Sequence, residues 1–367
     1  MTVFVVAGEA SGDLHAANLL SALRRLDPTI EAFGVGGERL RGAGLECVAR
    51  SEELSLMGLA EVVWELPRLW GLSRRVRRAA LERRPRVAIL VDSPDFNLPL
   101  ARALHRAGIP VVIYISPQLW AWREGRVRRI RRDVTRVLCI LPFEVEFYRR
   151  HGVAAEFVGH PLVDELAPVM REAPRREPRS LALLPGSRWH EVEALLPAML
   201  AAAGRLAVTT PGLKVRLVVA PGLDAGRIGA LAGNADVELV VSDRHRALAA
   251  CGAAVVASGT ATLECALLGV PMVVGYRLHP VSYVVARRLV RVPHVALVNL
   301  VAGEAVVPEL VQGAFTAERI AGEAELLLSG AGEGQLRGLA EVRRRLGEAG
   351  ASQRAAQAVL AVAGGAP

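Results

Sequence analysis

Short runs of apolar, largely β-branched residues alternate with longer segments of helical periodicity along most of the chain. In the first half the apolar runs are Thr2–Ala7, Val87–Val91, Val111–Ser116, Val137–Leu141 and Ala155–Gly159. The pattern predicts a helix between the first two runs, from about Leu14 to Leu26. Continuous apolar strands separated by helices are typical of a parallel sheet that is covered on both faces.

The same alternation restarts after a Pro- and Arg-rich stretch, about Pro168–Arg179, which we expect to be a linker. Four further strands are predicted at KVRLVVA, VELVVS, AAVVASG and PMVVGY, after an opening strand at SLALL and a helix from about His190. From about Thr316 the pattern is helical to the end. The sequence therefore predicts an α/β fold of two doubly wound, Rossmann-like domains that face a cleft.

The composition agrees with two folded domains. Of 367 residues, 52% are hydrophobic and 22% are charged, which excludes disordered and fibrous classes. No apolar run approaches the roughly 18 residues of a membrane span, and no signal peptide is recognisable at the N-terminus. The four cysteines are scattered, which predicts buried, reduced thiols and no zinc site.

Positive charge is concentrated in one part of the chain. The net charge is +8, but the segment Leu66–Arg132 alone carries 16 arginines and four acidic residues, a net charge of +12. Such a segment attracts phospholipid, nucleic acid or a phosphorylated substrate. The segment Leu54–Arg78, which precedes and overlaps this one, contains Trp64 and Trp70. It is either a core helix or an amphipathic segment whose apolar face inserts among acyl chains.

Two motifs follow predicted strands of the first domain, at the edge where open α/β sheets bind ligands. In GEASGD, at positions 8–13, the small residues allow a tight turn, and Ser11 or Asp13 either caps the next helix or faces the cleft. In DSPDFN, Asp92 is the first polar residue after a strand. An unpaired carboxylate there is a candidate general base; alternatively, Asp92 or Asp95 caps the next helix.

A third motif, ISPQLWAWREGRVRRIRR at positions 115–132, places Trp120 and Trp122 beside six arginines. A solvated basic helix is one interpretation. A membrane surface or a phosphate-binding mouth is the other, because both need basic side chains beside tryptophans.

Two further motifs follow strands of the second domain. In LLPGSRWHEVE, Gly186 and Ser187 form a turn and Arg188 begins a helix, so backbone N–H groups and one guanidinium can bind a diphosphate. The alternative is a plain turn with a solvated arginine. The sequence contains no DxD triplet, so helix dipoles and arginine would have to meet the charge of a leaving diphosphate.

In ASGTATLE, Gly259 and Thr260 end a strand and begin a helix, and Glu264 lies one turn later on the same face. A carboxylate at this position can accept two hydrogen bonds from a ribose diol, as the acidic residue of dinucleotide-binding folds does. A simple helix cap followed by an exposed glutamate explains the same residues.

Eight motifs in one order now point to a family. GEASGD, MGLAEV, DSPDFN, SPQLWAWR, LLPGSR with a following Glu, ASGTATLE, PMVVGYR and PELVQ resemble lipid-A-disaccharide synthases over about positions 3–312. The resemblance implies a glycosyltransferase-B fold and an inverting reaction. UDP-2,3-diacylglucosamine would be the donor and 2,3-diacylglucosamine 1-phosphate the acceptor. The products would be the β-1,6-linked lipid A disaccharide 1-phosphate and UDP.

The resemblance also implies roles for individual residues. Asp92 would deprotonate the 6-hydroxyl of the acceptor, and Arg188 would hold the diphosphate. Asn299 is expected at the nucleotide, although it follows Val298 where the family usually has proline. The expected UDP-sugar residues are Gly186, Ser187, Gly259, Thr260, Glu264 and Asn299. The expected acceptor or cleft residues are Ser11, Gly12, Asp13, Trp120 and Arg123. No metal and no cofactor is expected.

The family's organisation sets the remaining expectations. The acceptor- and membrane-facing domain would comprise residues 1–167 plus about 336–367, and the UDP-sugar donor domain residues 168–335. The expected partners are the two substrates, the inner-membrane surface and, as a possible homodimer, a second copy of the chain; no nucleic acid is expected. The expected location is cytoplasmic, peripherally attached to the inner face of the inner membrane.

Three other functions compete with this one. A fold relative would transfer N-acetylglucosamine from UDP to a polyprenyl lipid or would epimerise a UDP-sugar, but DSPDFN and SPQLWAWR argue against both. A nucleic-acid-binding protein would use the arginines yet leave the strand-end motifs unexplained. A catalytically silent scaffold at the membrane surface would have no activity, so Asp92→Asn would change none.

Overall fold

The computed structural model describes residues 1–54, 62–279, 283–284 and 292–365. The chain divides into two compact units, one formed by Met1–Pro161 with Glu348–Pro367 and the other by Leu162–Gly347. We expected the divisions at 167/168 and 335/336; they lie at 161/162 and 347/348. The assignment of the first unit to the acceptor and of the second to the donor stays a prediction.

The first unit is built on a seven-stranded sheet in the order β3-β2-β1-β4-β5-β6-β7, and every neighbouring pair is parallel. Its strands carry mostly β-branched and apolar residues, which suit a sheet buried on both faces. The strands are β1 Thr2–Ala7, β2 Glu31–Gly36, β3 Glu46–Arg50, β4 Val87–Val91, β5 Val111–Tyr114, β6 Arg136–Cys139 and β7 Ala155–Phe157.

Helices cover both faces of this sheet because successive side chains of a strand point to opposite sides. Val3 and Val5 of β1 pack in the cluster that contains the first and last helices of the unit. Phe4 and Val6 pack on the other side, against α3 and α4. The helices are α1 Ala10–Leu26, α2 Glu38–Gly42, α3 Val62–Arg83, α4 Pro94–Arg106, α5 Val127–Asp133, α6 Pro142–Arg150 and, near the C-terminus, α15 Ala351–Ala363.

The second unit has a six-stranded parallel sheet in the order β10-β9-β8-β11-β12-β13. Its strands are β8 Glu177–Leu184, β9 Lys214–Val218, β10 Glu238–Val240, β11 Cys251–Ala257, β12 Met272–Tyr276 and β13 Glu309–Val311. Its helices are α7 Pro161–Glu172, α8 Trp189–Thr209, α9 Ala225–Ala232, α10 Arg244–Ala249, α11 Thr260–Leu268, α12 Leu297–Ala302, α13 Ala317–Leu326 and α14 Glu333–Arg345.

Each sheet reverses its strand order at one point, where the connections before and after lead to opposite edges. In the first unit this switch lies between β1 and β4, whose last residues Ala7 and Val91 are paired. In the second unit it lies between β8 and β11, where Leu184 pairs with Val256. Open α/β sheets bind ligands at the carboxyl ends of strands beside such a switch, so the fold selects two loop pairs as candidate sites.

Several expectations about the elements were wrong. The stretch predicted as a linker, Pro168–Arg179, contains the end of helix α7 and the start of strand β8, with Pro168 inside the helix. Strands β2, β3 and β13 were not predicted. In β2, the glycines weaken the apolar pattern, and Gly34 is required because a Cβ there would lie 1.9 Å from the carbonyl oxygen of Val5.

Helix α8 is long and apolar enough, by length and composition, to cross a membrane, with a mean hydropathy of 1.4 over its best window. It is the one such helix in the described part of the chain. Its buried side chains recur every three or four residues and join the core of the second unit, as in an ordinary core helix. They are Val192, Leu195, Leu196, Met199, Ala202, Ala203 and Leu206.

Candidate active site

Asp92 stands at the switch point of the first unit, one residue beyond the last strand pair of β1 and β4. Its side chain is partly buried, and burial raises its pKa from 3.8 to about 6, with the nearby charge of Glu9 as the second cause. A hydrogen bond from the backbone N–H of Ser93 acts in the opposite direction. A carboxylate with a pKa near neutrality is suited to take a proton from a hydroxyl group.

The GEASGD loop lies next to Asp92 at the end of β1, but it does not act as a cap. Helix α1 already begins at Ala10, so the expectation that Ser11 or Asp13 caps it was wrong: both lie inside the helix. Ser11 is exposed in the first turn. Gly12 faces the sheet, where an added Cβ would lie 3.5 Å from a methyl group of Val91.

Asp13 is buried and is occupied by the next loop. Its carboxylate accepts hydrogen bonds from the backbone N–H groups of Gly37 at 2.6 Å, Arg39 at 3.0 Å and Leu40 at 3.3 Å. These groups begin helix α2, which has no cap of its own. Two roles were open for Asp13: a helix cap or a residue that faces the ligand. The structure favours the cap, but the helix that Asp13 caps is α2 and not α1.

The DSPDFN and WREGR motifs come together around Asp95 in the first turn of α4. Asp95 accepts a hydrogen bond of 2.6 Å from Arg126, and a guanidinium nitrogen of Arg123 lies 3.8 Å away. The Asp95 side chain is 77% exposed, in contrast to that of Asp92. Arg123 also stacks on the ring of Trp122 at 4.2 Å, so its charge lies at the surface beside the candidate base motif.

Trp120 is held in place by a hydrogen bond to a buried glutamate that the sequence analysis did not identify. Its indole N–H donates to Glu144 at 3.1 Å, and its ring meets Phe143 edge to face at 4.9 Å. Burial raises the pKa of Glu144 to about 7, while bonds from the N–H groups of Leu141 and Trp120 act against the rise. The contact fixes the loop that carries Arg123 onto the start of α6.

The basic helix α3 presents aromatic and cationic groups to solvent. Leu72, Val76 and Ala80 face the sheet, whereas Trp70 is 65% exposed with Arg74 stacked on its ring at 4.6 Å. The second half of the helix adds further charged side chains to this surface, among them Arg75, Arg77, Arg78 and Glu82. The rest of the expected apolar face, residues 55–61, lies outside the described residues, as does the side chain of Trp64.

In α5 the arginines surround a buried stripe. Val127 and Ile130 are buried, while Arg128, Arg129, Arg131 and Arg132 are exposed. This arrangement fits a solvated basic helix.

In the second unit, Arg188 is the N-cap of α8 in the loop that follows β8, with its side chain 67% exposed. The N–H groups expected to bind a diphosphate are already used. Those of Ser187 and Arg188 donate to Glu191 at 3.0 and 3.2 Å, and the Arg188 guanidinium lies 3.3 Å from the same carboxylate. Gly186 has φ of +120°, and an added Cβ would lie 2.5 Å from Glu191. The exposed guanidinium remains the group that can meet a ligand.

Gly259 and Thr260 begin α11 after β11, on the other side of the second switch point. Gly259 has φ of +151°, and Thr260 is exposed at the first helical position. Glu264 is mostly buried, and its carboxylate lies 3.5 Å from Nε2 of His245 at the start of α10. His245 also lines a cavity of about 390 Å³ beside the loops that follow β9 and β10.

Asn299 does not reach solvent, and its place at the nucleotide stays a prediction. Its amide nitrogen donates to Val307 O at 2.9 Å and to Glu309 at 2.8 Å. Its oxygen accepts from the N–H groups of Val306 and Val307 at 2.9 and 3.0 Å. With every side-chain hydrogen-bonding position filled, the amide ties α12 to β13, so a direct contact with a nucleotide would require one of these bonds to break.

Sequence reasoning gave no role to three carboxylates around these motifs, Glu144, Glu191 and Glu309, although the last two lie within or next to the quoted motifs PELVQ and LLPGSR. Glu191 could have been found, because a glutamate three residues after a helix N-cap indicates a capping box. Glu144 and Glu309 bond to residues 24 and 10 positions away, and no local pattern indicates these partners. Within the described ranges, no group of three or more His, Cys, Asp or Glu side chains is arranged to hold a metal ion.

Comparison with known proteins gives a consistent result. The family model of lipid-A-disaccharide synthetase matches residues 3–362. Lipid-A-disaccharide synthase of Anaeromyxobacter dehalogenans strain 2CP-1 is 52% identical, over 98% of this chain and 97% of that protein. The enzyme of Myxococcus xanthus is 48% identical, over 98% and 96% of the two chains.

Solved structures share the fold at low identity. UDP-GlcNAc 2-epimerase from Neisseria meningitidis, bound to UDP-GlcNAc, has a TM-score of 0.65 at 12% identity, over 98% of this chain and 100% of that one. A glycotransferase of kitacinnamycin has a TM-score of 0.67 at 18% identity, over 98% of each chain. At these identities the likeness speaks for the fold alone, and it confirms the predicted glycosyltransferase-B architecture of two parallel α/β domains.

Proposed function

Because this chain belongs to the lipid-A-disaccharide synthetase family, we propose a mechanism in which Asp92 is the general base and Arg188 holds the leaving diphosphate. The chain is a glycosyltransferase that forms the lipid A disaccharide from a UDP-sugar donor and a sugar-phosphate acceptor. We assign UDP-2,3-diacylglucosamine as the donor and 2,3-diacylglucosamine 1-phosphate as the acceptor.

The proposed reaction is a single displacement at the anomeric carbon of the donor. Asp92 takes the proton of the acceptor 6-hydroxyl, and the oxygen forms the new bond to the anomeric carbon on the face opposite UDP. The bond from that carbon to the β-phosphate oxygen breaks, and UDP leaves with the electron pair. The configuration inverts, and the proton remains on Asp92 until the product departs.

The donor half of the proposal uses the second switch point. The exposed guanidinium of Arg188 meets the diphosphate and balances the charge that develops on the leaving oxygen. Glu191 keeps Ser187 and Arg188 in place beneath it. Glu264 lies one turn into α11 and contacts His245, which lines the cavity, and a ribose diol bound there would meet the Glu264 carboxylate.

The acceptor half uses the charged surface of the first unit. Arg123 lies beside the DSPDFN motif through Asp95, which suits the phosphate of an acceptor. Trp70 and Arg74 on α3 offer an apolar ring and a cation at the surface, the combination that interfacial proteins use at headgroups. We propose that this surface attaches the enzyme peripherally to the inner face of the inner membrane; a homodimer stays a prediction.

The observation that carries this mechanism is the partly buried Asp92, with its pKa raised to about 6, at the carboxyl end of β4. It is tested by comparing Asp92→Asn with Asp95→Asn, which changes the exposed, ion-paired carboxylate three residues later. UDP release with both substrates in detergent should fall about a hundredfold or more in Asp92→Asn and much less in Asp95→Asn. Full activity of Asp92→Asn would remove it as the base.

A further inference from the structure

The chain leaves β4 through two consecutive residues in the left-handed region. Asp92 has φ of +47° and Ser93 has φ of +40° and ψ of +59°. Residues other than glycine visit this region rarely, because Cβ comes close to the following carbonyl. Two in succession persist only where surrounding contacts hold them, and such backbone is concentrated at functional sites.

Asn97 supplies those contacts from the first turn and a half of α4. Its amide nitrogen donates to the carbonyl oxygen of Val91 at 3.1 Å and to that of Asp92 at 2.7 Å. Its own backbone N–H donates to Ser93 O at 2.9 Å. One buried residue, 1% exposed, therefore ties the last strand carbonyl and both left-handed residues to the helix.

These two carbonyls set the orientation of the Asn97 amide, because its nitrogen must point toward them. Its oxygen then points away, is buried and finds no hydrogen-bond donor among the described residues. In the flipped orientation the side-chain oxygen would face the two carbonyl oxygens, and both hydrogen bonds would be replaced by repulsion between acceptors. A buried polar atom left unpaired in this way needs a compensating role, because most buried polar groups are paired.

We propose that Asn97 is a positioning residue for the glycosyl transfer: it holds the left-handed turn that aims the Asp92 carboxylate. The inference rests on the proposed role of Asp92 as the base. Alanine at position 97 would leave both carbonyls without this donor and allow the turn to relax toward commoner backbone conformations. Aspartate would present an oxygen to two carbonyl oxygens and add a negative charge near Asp92.

Ser93 offers a rescue that a purely structural role would not give. Glycine adopts positive φ at no steric cost, so Ser93→Gly makes the turn easier to hold. In the Asn97→Ala background we therefore expect Ser93→Gly to restore part of the lost kcat. The substitution keeps the backbone N–H that donates to the Asp92 carboxylate.

The experiment measures kcat, KM and Tm for Asn97→Ala, Asn97→Ala/Ser93→Gly and Asp92→Asn. Asn97→Ala should lower kcat about ten- to a hundredfold with the donor KM changed by less than about twofold, as expected for a misplaced base. The double variant should recover several-fold in kcat. Asn299→Ala, which removes a comparably bonded buried amide from the second unit, sets the loss of Tm that a structural role alone produces.

Three results would overturn parts of this account separately. Normal kcat in Asn97→Ala with an inactive Asp92→Asn overturns the positioning role and leaves the proposed function intact. A fully active Asp92→Asn overturns the base itself, and the inference with it. A loss of kcat that Ser93→Gly does not recover assigns Asn97 to folding only. Asn97→Ser, which keeps one donor, replaces the alanine variant if that fails to fold.

Discussion

If Asp92 is the base, the charge of Glu9 should set part of the pH range of the reaction. Glu9 precedes α1 just after β1, beside strand β4, which ends one residue before Asp92. Its negative charge is the second cause of the raised pKa of Asp92, after burial. Glu9→Gln removes the charge and keeps the shape. The pKa of Asp92 should fall, and the acid limb of kcat/KM should move to lower pH with it.

The size of the effect is bounded by the structure. The pKa of Asp92 rises from 3.8 to about 6, a shift of about 2 pH units. Burial is the larger cause and the hydrogen bond from Ser93 opposes both, so Glu9 contributes less than the whole shift, and the limb should move by less than about two units. At about pH 5, where Asp92 of the wild type is mostly protonated, Glu9→Gln should be up to several-fold faster than the wild type. At about pH 8, where Asp92 is ionised in both proteins, their rates should agree.

The assay is initial-rate UDP release at low substrate across the pH range. Glu31→Gln is the matched control, since Glu31 is exposed at the opposite, amino end of the same sheet, opposite Thr2. It should leave the limb in place. An acid limb that stays fixed or moves to higher pH in Glu9→Gln would refute the electrostatic reasoning.

Further substitutions test the remaining parts. Asp92→Asn should raise Tm at pH 8 by a few degrees. The raised pKa of Asp92 means that the folded state favours the protonated acid, so the wild-type protein loses stability as the pH rises through about 6, whereas asparagine stays neutral. An unchanged Tm at pH 8 would contradict this. Arg188→Ala should lower kcat about a hundredfold, and Arg188→Lys should recover only part, since lysine lacks the guanidinium fork. Trp120→Phe and Glu144→Gln should each raise the acceptor KM and, in a double-mutant cycle, show losses that do not add, because the two side chains share one hydrogen bond. Trp70→Ala should reduce cosedimentation with anionic vesicles several-fold, and added salt should weaken what remains; equal binding of both proteins would argue against this surface.

Strand-end chemistry was the part of the molecule most accessible to sequence reasoning. Asp92, Arg188 and Gly259 each follow a continuous apolar run, and parallel strands bring their carboxyl ends to one edge of the sheet. That argument needs only the local pattern. The sequence therefore placed all three residues at the carboxyl ends of strands, and the structure adds that these strands flank the switch points of the two sheets.

Long-range pairing was beyond local pattern. Asp13 looked like a cap of its own helix, yet it serves a loop 24 residues later. The hydrogen bond between Asn299 and Glu309 was likewise not visible from the sequence. Composition also misled: Pro168 suggested a linker, but prolines lie inside α4, α7 and α8. Where packing supplies the stability of a helix, a proline weakens it without ending it.

The central claim is that this chain joins UDP-2,3-diacylglucosamine to the 6-hydroxyl of 2,3-diacylglucosamine 1-phosphate. The most direct test incubates the wild-type enzyme, in detergent with EDTA, with the donor alone, with the acceptor, and with an acceptor that lacks the 6-hydroxyl. The account predicts one UDP for each β-1,6-linked disaccharide 1-phosphate in the second mixture only, as read by mass and NMR. No disaccharide in that mixture, or a donor epimerised at C2 without any acceptor, would contradict it.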